Sequence, residues 1–391
     1  MPETVAVNPE LIRWAIDRSR VPVEELARAF PKLDEWRRGD RAPTFRQLEL
    51  FAGKTMTPFG YFFLESPPHE ELPIPDFRTV GDTSIERPSP NLIETIQAMQ
   101  RRQAWMREFL IDEGQGALDF VGSAKSVRNV VSLAVRIREA LGLTVDWAER
   151  HATWKEALRT LRDSAERIGI LVATSGIVGL NTHRPLDPQE FRGFVLCDDV
   201  APLVFVNGGD SKSAQMFTLA HELVHIWLGA EGLFNLIKMM PHRDETERFC
   251  NQVAAEFLVP AHKLKERWEE AAATASPFHT IGRWFKVSPV VAARRALDLG
   301  LINRARFFAF YEQDREEWQR RKAEEKQKKG GPNFYVVQDG RLGRRFAYAV
   351  VRAAREGRLP YREAYRLTDL KGETFNRYAN LLVQRMKDER R

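Results

Sequence analysis

Phe217–Gly229 reads FTLAHELVHIWLG and holds two of the chain's eight histidines, His221 and His225, with Glu222 directly after the first. On a helix, residues four apart share one face, one turn apart, so both imidazoles point the same way. Glu222 lies about 100° round from His221, where its carboxylate reaches a water on a metal shared by the two rings without ligating that metal. Neutral imidazole suits zinc, and a catalytic zinc site uses three protein ligands and keeps a fourth position for water. The competing reading is an ordinary core helix, because Leu219, Leu223, Ile226 and Trp227 are apolar. A third ligand downstream separates the two readings.

DETERFCNQVAAEFLVP, from Asp244 to Pro260, offers Glu245, Glu247 and Glu256. At 100° per residue, Glu247 shares a stripe with Cys250, Asn251, Ala254 and Leu258, a small and apolar face suited to packing on another helix. Glu245 and Glu256 fall roughly opposite, beside Gln252, on a face expected to be solvated. Glu247 is therefore the expected third ligand; the alternative is an exposed acid stabilised by the helix N-terminus.

FTLAHELVHIWLG followed by ERFCNQVAAEFLVP resembles the ImmA/IrrE metallopeptidases, whose pattern is FTLAHELGH and then ExxANxFAAxLLMP. VFVN at 204–207 fits the strand that precedes the family's metal helix. The resemblance covers most of residues 166–310. It implies Zn2+ held by His221, His225 and Glu247, with Glu222 as general base. Val224, Cys250 and Val253 depart from the pattern at packing positions. Metal-bound water of lowered pKa, Glu222 as proton acceptor and a further oxyanion donor would complete peptide hydrolysis. His183, His242, His262 and His279 are the candidate donors, unranked. Pro73–Thr79 (PIPDFRT) is a candidate lid over the cleft.

Residues 10–63 resemble an XRE-type helix-turn-helix through LIRWAIDRSR, VEELARAF, FRQLELFAG and a W-x-x-G-x-x-x-P-T signature at Trp36, Gly39, Pro43 and Thr44. Trp36 follows Phe30 by only six positions, where such units place about ten. The front of the recognition helix, whose side chains reach bases, is thereby shortened. Lys32, Arg37, Arg38 and Arg41 remain to meet phosphates, weakly and without sequence preference. IGRWFKVSPVVAARRALDLGLI resembles the helix-turn-helix that follows the peptidase core in IrrE-like proteins. Its Arg294 and Arg295 read as solvated or as nucleic-acid contacts.

GILVATSG, FRGFVLCD and APLVFVNG are short, rich in β-branched residues and bounded by turn residues, so they read as strands of one small sheet. Helical patterns start near Asn91, run from about Ser123 to Leu141 and from Trp154 to Ile168, and recur near 211–228 and 243–258. The expected fold is α+β, mostly helical, with a zincin-like metallopeptidase core and helix-turn-helix units on both sides. The expected layout is a degenerate helix-turn-helix at 1–66 and a proline-rich connector at 67–90. The metallopeptidase follows at 91–275, with a helical lead-in to 165 and the zinc core at 166–262. A helix-turn-helix-like segment at 276–312, a charged linker at 313–332 and a basic helical domain at 333–391 complete it.

The chain has 391 residues, net charge +6, a pI near 9.3 and two cysteines, Cys197 and Cys250. That permits nucleic-acid contact without establishing it, excludes a disulfide scaffold and fits a reduced cytoplasm. MPETVAVNPE has neither the basic nor the apolar region of a signal peptide, and no run of about 20 apolar residues suggests a membrane span. The expected activity is zinc endopeptidase, acting on a protein substrate. The family resemblance makes that substrate a small DNA-binding repressor in a regulatory or stress-response switch. The alternative is a non-catalytic DNA-binding regulator or an antitoxin-like partner of a neighbouring toxin.

Overall fold

The computed structural model describes residues 3–70, 72, 74, 88–230, 232–234, 245–325 and 334–389. The chain divides into two compact units, Met1–Pro73 with Asp82–Gln97 and Ile74–Gly81 with Ala98–Arg391. The first unit holds α1 (Pro9–Ser19), α2 (Val23–Ala29), α3 (Leu33–Arg38) and α4 (Phe45–Lys54). Asn8 starts α1 by accepting the Glu10 N–H at 2.9 Å, with Pro9 at the first helical position. Thr44 and Gln47 start α4 with a reciprocal capping box. Leu11, Ala15, Leu26, Phe30, Trp36, Leu48 and Phe51 meet in one core. The stretch WRRGDRAPT, which carries the Trp36–Thr44 signature, begins inside a helix. Trp36 is buried against Phe30 and Phe51, which carries α3 on to Arg38 before Gly39 ends it at φ +83°.

The boundary between the units falls within α5 (Pro90–Asp112). α6 (Val130–Ala140) and α7 (Trp154–Arg167) follow, the latter opened by a Thr153–Glu156 capping box. The helix expected from Ser123 is confined to Val130–Ala140. The preceding loop spends its N–H groups elsewhere: Gly122 donates to Ile226 O at 2.9 Å and Ala124 to Trp227 O at 2.8 Å. Those carbonyls end the helix that bears the two histidines, so the loop satisfies acceptors left over at that terminus.

β1 (Leu171–Ser175), β2 (Gly193–Leu196), β3 (Leu203–Asn207) and β4 (Gly232–Phe234) form one sheet in the order β1-β3-β2-β4. β1 runs parallel to β3; β2 runs antiparallel to both β3 and β4. β1, β2 and β3 are the three strands expected. β4 has only three residues, too few to show a period. Val172, Val195, Val204 and Val206 face the helical core, while Phe191, Phe194 and Phe205 cluster together, Phe194 and Phe205 stacked at 5.0 Å.

α8 (Lys212–Leu228) lies on that core, capped by Ser211 and closed by Gly229 in the left-handed region. It packs against β2, β3, α6, α7 and α9 (Glu245–Leu258). α10 (Ala261–Glu266), α11 (Trp268–Ala272), α12 (Pro277–Phe285), α13 (Pro289–Asp298) and α14 (Arg304–Glu325) continue the unit. Lys286, Val287 and Ser288 separate α12 from α13, within the segment that resembles a helix-turn-helix. α15 (Phe334–Leu342) packs on β1, and α16 (Arg344–Arg355) carries α17 (Tyr361–Thr368) and α18 (Gly372–Glu389). The result is mostly helical with one small sheet, the α+β class expected. Among the described residues no helix is long and apolar enough to cross a membrane.

Candidate metal centre

α8 is buried along almost its whole length, from Gln215 to Trp227. The core-helix reading and the metal-site reading are thus compatible: a helix held on all sides presents its two imidazoles without freedom to swing. His221, Glu222 and His225 are each at most 1 % exposed. α9 packs alongside and brings Glu247, also 1 % exposed, to the same point. His221 Nε2 lies 3.2 Å from Glu247 Oε2, and His225 Nε2 lies 3.1 Å from Glu247 Oε1. The two Nε2 atoms are 3.0 Å apart.

One ligand atom from each of these three residues lies within 4.8 Å of the others. Three donors converging on one buried point make a set that suits a divalent cation of the nitrogen- and oxygen-binding kind. His221 Nδ1 faces Asn251 Oδ1 at 3.1 Å. With the proton on Nδ1, that contact leaves the Nε2 lone pair aimed into the site. Burial holds the His221 imidazole below its ordinary pKa, against the pull of Glu247. Burial works against charge on His225 as well, but Cys250 and Glu247 push it well above the imidazole range. Burial would raise the Glu247 carboxyl; His221 and His225 instead hold it well below the carboxylate range.

Glu222 faces the sheet. A Cβ built on Gly193 of β2 would stand 2.6 Å from Thr218 Cγ2, 2.8 Å from Phe205 O and 3.2 Å from Glu222 Oε1. Glycine there lets the strand approach the helix and leaves room for the carboxylate. Neither Glu222 oxygen has a hydrogen-bond partner among the described residues. Burial lifts its carboxyl to about 8; His225 opposes that shift and Glu247 reinforces it.

Glu256, expected on a solvated face, is 4 % exposed and ion-paired with the buried Arg295 of α13. Glu245 and Gln252 on the same face are exposed as expected, and only its C-terminal end, at Glu256, is covered by Arg295 of α13, which a period alone does not reveal. Arg295 Nε also donates to Val259 O at 3.0 Å, and Arg138 Nη2 to the carbonyls of Glu256 and Phe257, each at 3.2 Å. The C-terminus of α9 is therefore held by two arginines, which steadies the helix that delivers Glu247. Arg295 is neither solvated nor open to nucleic acid, whereas Arg294 pairs with Asp298 at 2.9 Å. Asn251 and Gly193 were the residues sequence reasoning gave no role. Asn251 was legible as the neighbour one turn after Glu247; Gly193 carried no signal of its own.

His183 and His262 are exposed, and His279 sits edge-on to Phe310 at 6.1 Å. His242 lies outside the described residues, as does the Pro73–Thr79 segment apart from Ile74. In the first unit Arg37, Arg38 and Arg41 each face an acid, Asp34 at 3.2 Å, Asp40 at 2.7 Å and Glu35 at 3.6 Å, while Lys32 is half-buried.

The family model described as the IrrE N-terminal-like domain matches residues 165–297, which include the sheet, α8 and α9 and contain His221, Glu222, His225 and Glu247. A domain of unknown function matches residues 342–381. No curated protein matches the chain. The match over 165–297 supports a metallopeptidase-like function and implies a metal, and the fold is consistent with a zincin-like domain. Residues 165–297 are thus similar to an IrrE N-terminal-like domain, which supports the resemblance to the ImmA/IrrE family.

Proposed function

We propose that the chain is a zinc-dependent endopeptidase acting on a protein substrate, a small DNA-binding transcriptional repressor, in a regulatory switch. The observation that carries the enzymatic part is the convergence of His221, His225 and Glu247 beside the buried Glu222. The repressor substrate rests on the family resemblance of the motifs alone. When bound, zinc supplies a Lewis acid and a water of lowered pKa. His221, His225 and Glu247 would hold it, with Asn251 fixing the His221 ring.

Glu222 is the proton carrier. Burial lifts its carboxyl toward the neutral form, whereas a divalent cation bound beside it would draw it back toward the charged form. That balance suits a group that takes a proton from the attacking water and returns it to the leaving amine. Among the described residues neither of its oxygens has a hydrogen-bond partner, so its acceptor positions are not spent on the fold.

Glu222→Gln separates holding the metal from using it. The variant keeps the three ligand side chains and should retain about one zinc per chain. Cleavage of co-expressed repressor-like proteins should fall by at least about 100-fold, the usual worth of a general base. Equal cleavage by both proteins rejects the mechanism. Zinc-loaded wild type that cleaves none of them favours the non-catalytic, antitoxin-like reading.

A further inference from the structure

We propose that α17 and α18 form a helix-turn-helix that seats α18 in the major groove of duplex DNA. Nothing in the peptidase reading uses these helices. They fall largely within the matched domain of unknown function.

The geometry comes first. α17 has eight residues and ends at Thr368; Asp369, Leu370 and Lys371 form the turn; α18 begins at Gly372. Asp369 lies in the left-handed region at φ +57°, which reverses the chain within three residues. Leu370 of that turn is 1 % exposed. The inward positions of both helices are filled: Ala364 and Thr368 from α17, Phe375, Tyr378 and Ala379 from α18. Phe375 reaches back between Tyr361 and Tyr365, at 6.0 and 5.4 Å. The two helices thus meet through these rings, and both rest on α16.

The turn is also anchored. Arg102 of α5, almost fully buried, donates through Nε to Leu367 O at 2.9 Å and through Nη2 to Asp369 Oδ2 at 3.0 Å. Gln338 donates to Thr368 O at 3.2 Å. The carbonyls at the end of α17 and the turn acid are held by the body of the unit. α18 is left presented outward.

The outward face has the chemistry of a base reader. Glu373, Asn376, Arg377, Asn380 and Gln384 follow helical spacing and are all exposed. Arginine, asparagine and glutamine are the side chains that pair bidentately with guanine and adenine edges, and glutamate accepts from cytosine. The Arg377 guanidinium is held by Glu373 one turn before it, at 2.5 Å, so it is extended along the groove-facing stripe. Arg362 and Arg366 of α17 and Lys371 of the turn are exposed beside it, placed for phosphates. Phe334–Glu389 carries twelve Arg and Lys against seven Asp and Glu, so it supplies five of the chain's net six positive charges. An acidic, regular, grooved partner fits that surface.

The test uses the full-length protein. A pool of random duplexes is selected at near-physiological salt, and the winning duplex and a scrambled one are titrated by fluorescence anisotropy. An enriched motif is expected. Asn376→Ala and Arg377→Ala should each weaken the selected duplex about 5- to 150-fold, the worth of one bidentate contact, with little effect on the scrambled one. Arg362→Ala and Arg366→Ala should weaken both duplexes alike and flatten the salt dependence. An Arg37, Arg38 and Arg41 triple alanine variant should bind the selected duplex as wild type does. All these side chains are exposed or pair only locally, so unchanged melting temperatures exclude unfolding. Failure to enrich any duplex overturns the proposal. So does a motif whose binding survives the α18 substitutions, loss of binding in the triple variant instead, or preference for single-stranded nucleic acid.

Discussion

Glu166 offers the sharpest physical test of how the C-terminal helices are joined to the metallopeptidase layer. It sits near the end of α7, 7 % exposed, beneath the junction of α15 and α16. A Cβ on Gly343 at that junction would stand 2.6 Å from its Oε1 and 2.7 Å from Val172 O. Burial lifts its carboxyl from 4.5 to about 7; Arg162 and the Arg344 backbone oppose the shift and Asp163 adds to it. Each pH unit of displacement is worth about 1.36 kcal/mol, so the charged form costs the folded state roughly 3 kcal/mol. The sign follows from proton binding. Between 4.5 and about 7 the folded chain holds a proton that the unfolded chain has released, so stability falls as pH rises through that window. Glu166→Gln keeps the volume and stays neutral. The stability difference between variant and wild type should therefore swing in favour of the variant by up to roughly 3 kcal/mol between pH 4.5 and 8. Urea midpoints of the same transition, compared for the two proteins across that range, read this out. A difference that stays constant with pH would refute the burial argument.

Other outcomes follow from the site itself. Arg295→Ala should cost about 3–5 kcal/mol by leaving Glu256 buried and charged, and should lower metal content by loosening α9; a double Glu256→Ala, Arg295→Ala variant should lose less stability than the two single changes summed. Thermal melts with metal analysis check this. Gly193→Ala should destabilise by about 1–3 kcal/mol through overpacking against Thr218 and Phe205, and should cut cleavage while keeping the metal, because the strand is forced away from Glu222; unchanged cleavage would contradict that. A chelator should lower the melting temperature, by an amount equivalent to about 4 kcal/mol where free metal had stood a thousandfold above its dissociation constant.

Local periodicity made α8 and α9 legible, and it put His221 and His225 on one face and Glu247 on a stripe of small residues. It also showed the first three strands, because β-branched runs bounded by turn residues need no tertiary information. What lay outside its reach was which polar faces would be covered. Glu256 falls on the face of α9 opposite Glu247, and the arrival of α13 with Arg295 buries that end of the face while Glu245 and Gln252 stay exposed. The same limit hid the loop at 122–124, whose N–H groups are spent on the end of α8 rather than on a helix of their own, and β4, which exists only because β2 lends it an edge. The sequence by itself determined which side chains could ligate a metal, since that depends on residue type and a fixed rise per residue. The tertiary structure alone decided that their donor atoms meet within 4.8 Å in a buried place, because the meeting depends on two helices clamped together by contacts far apart in the chain.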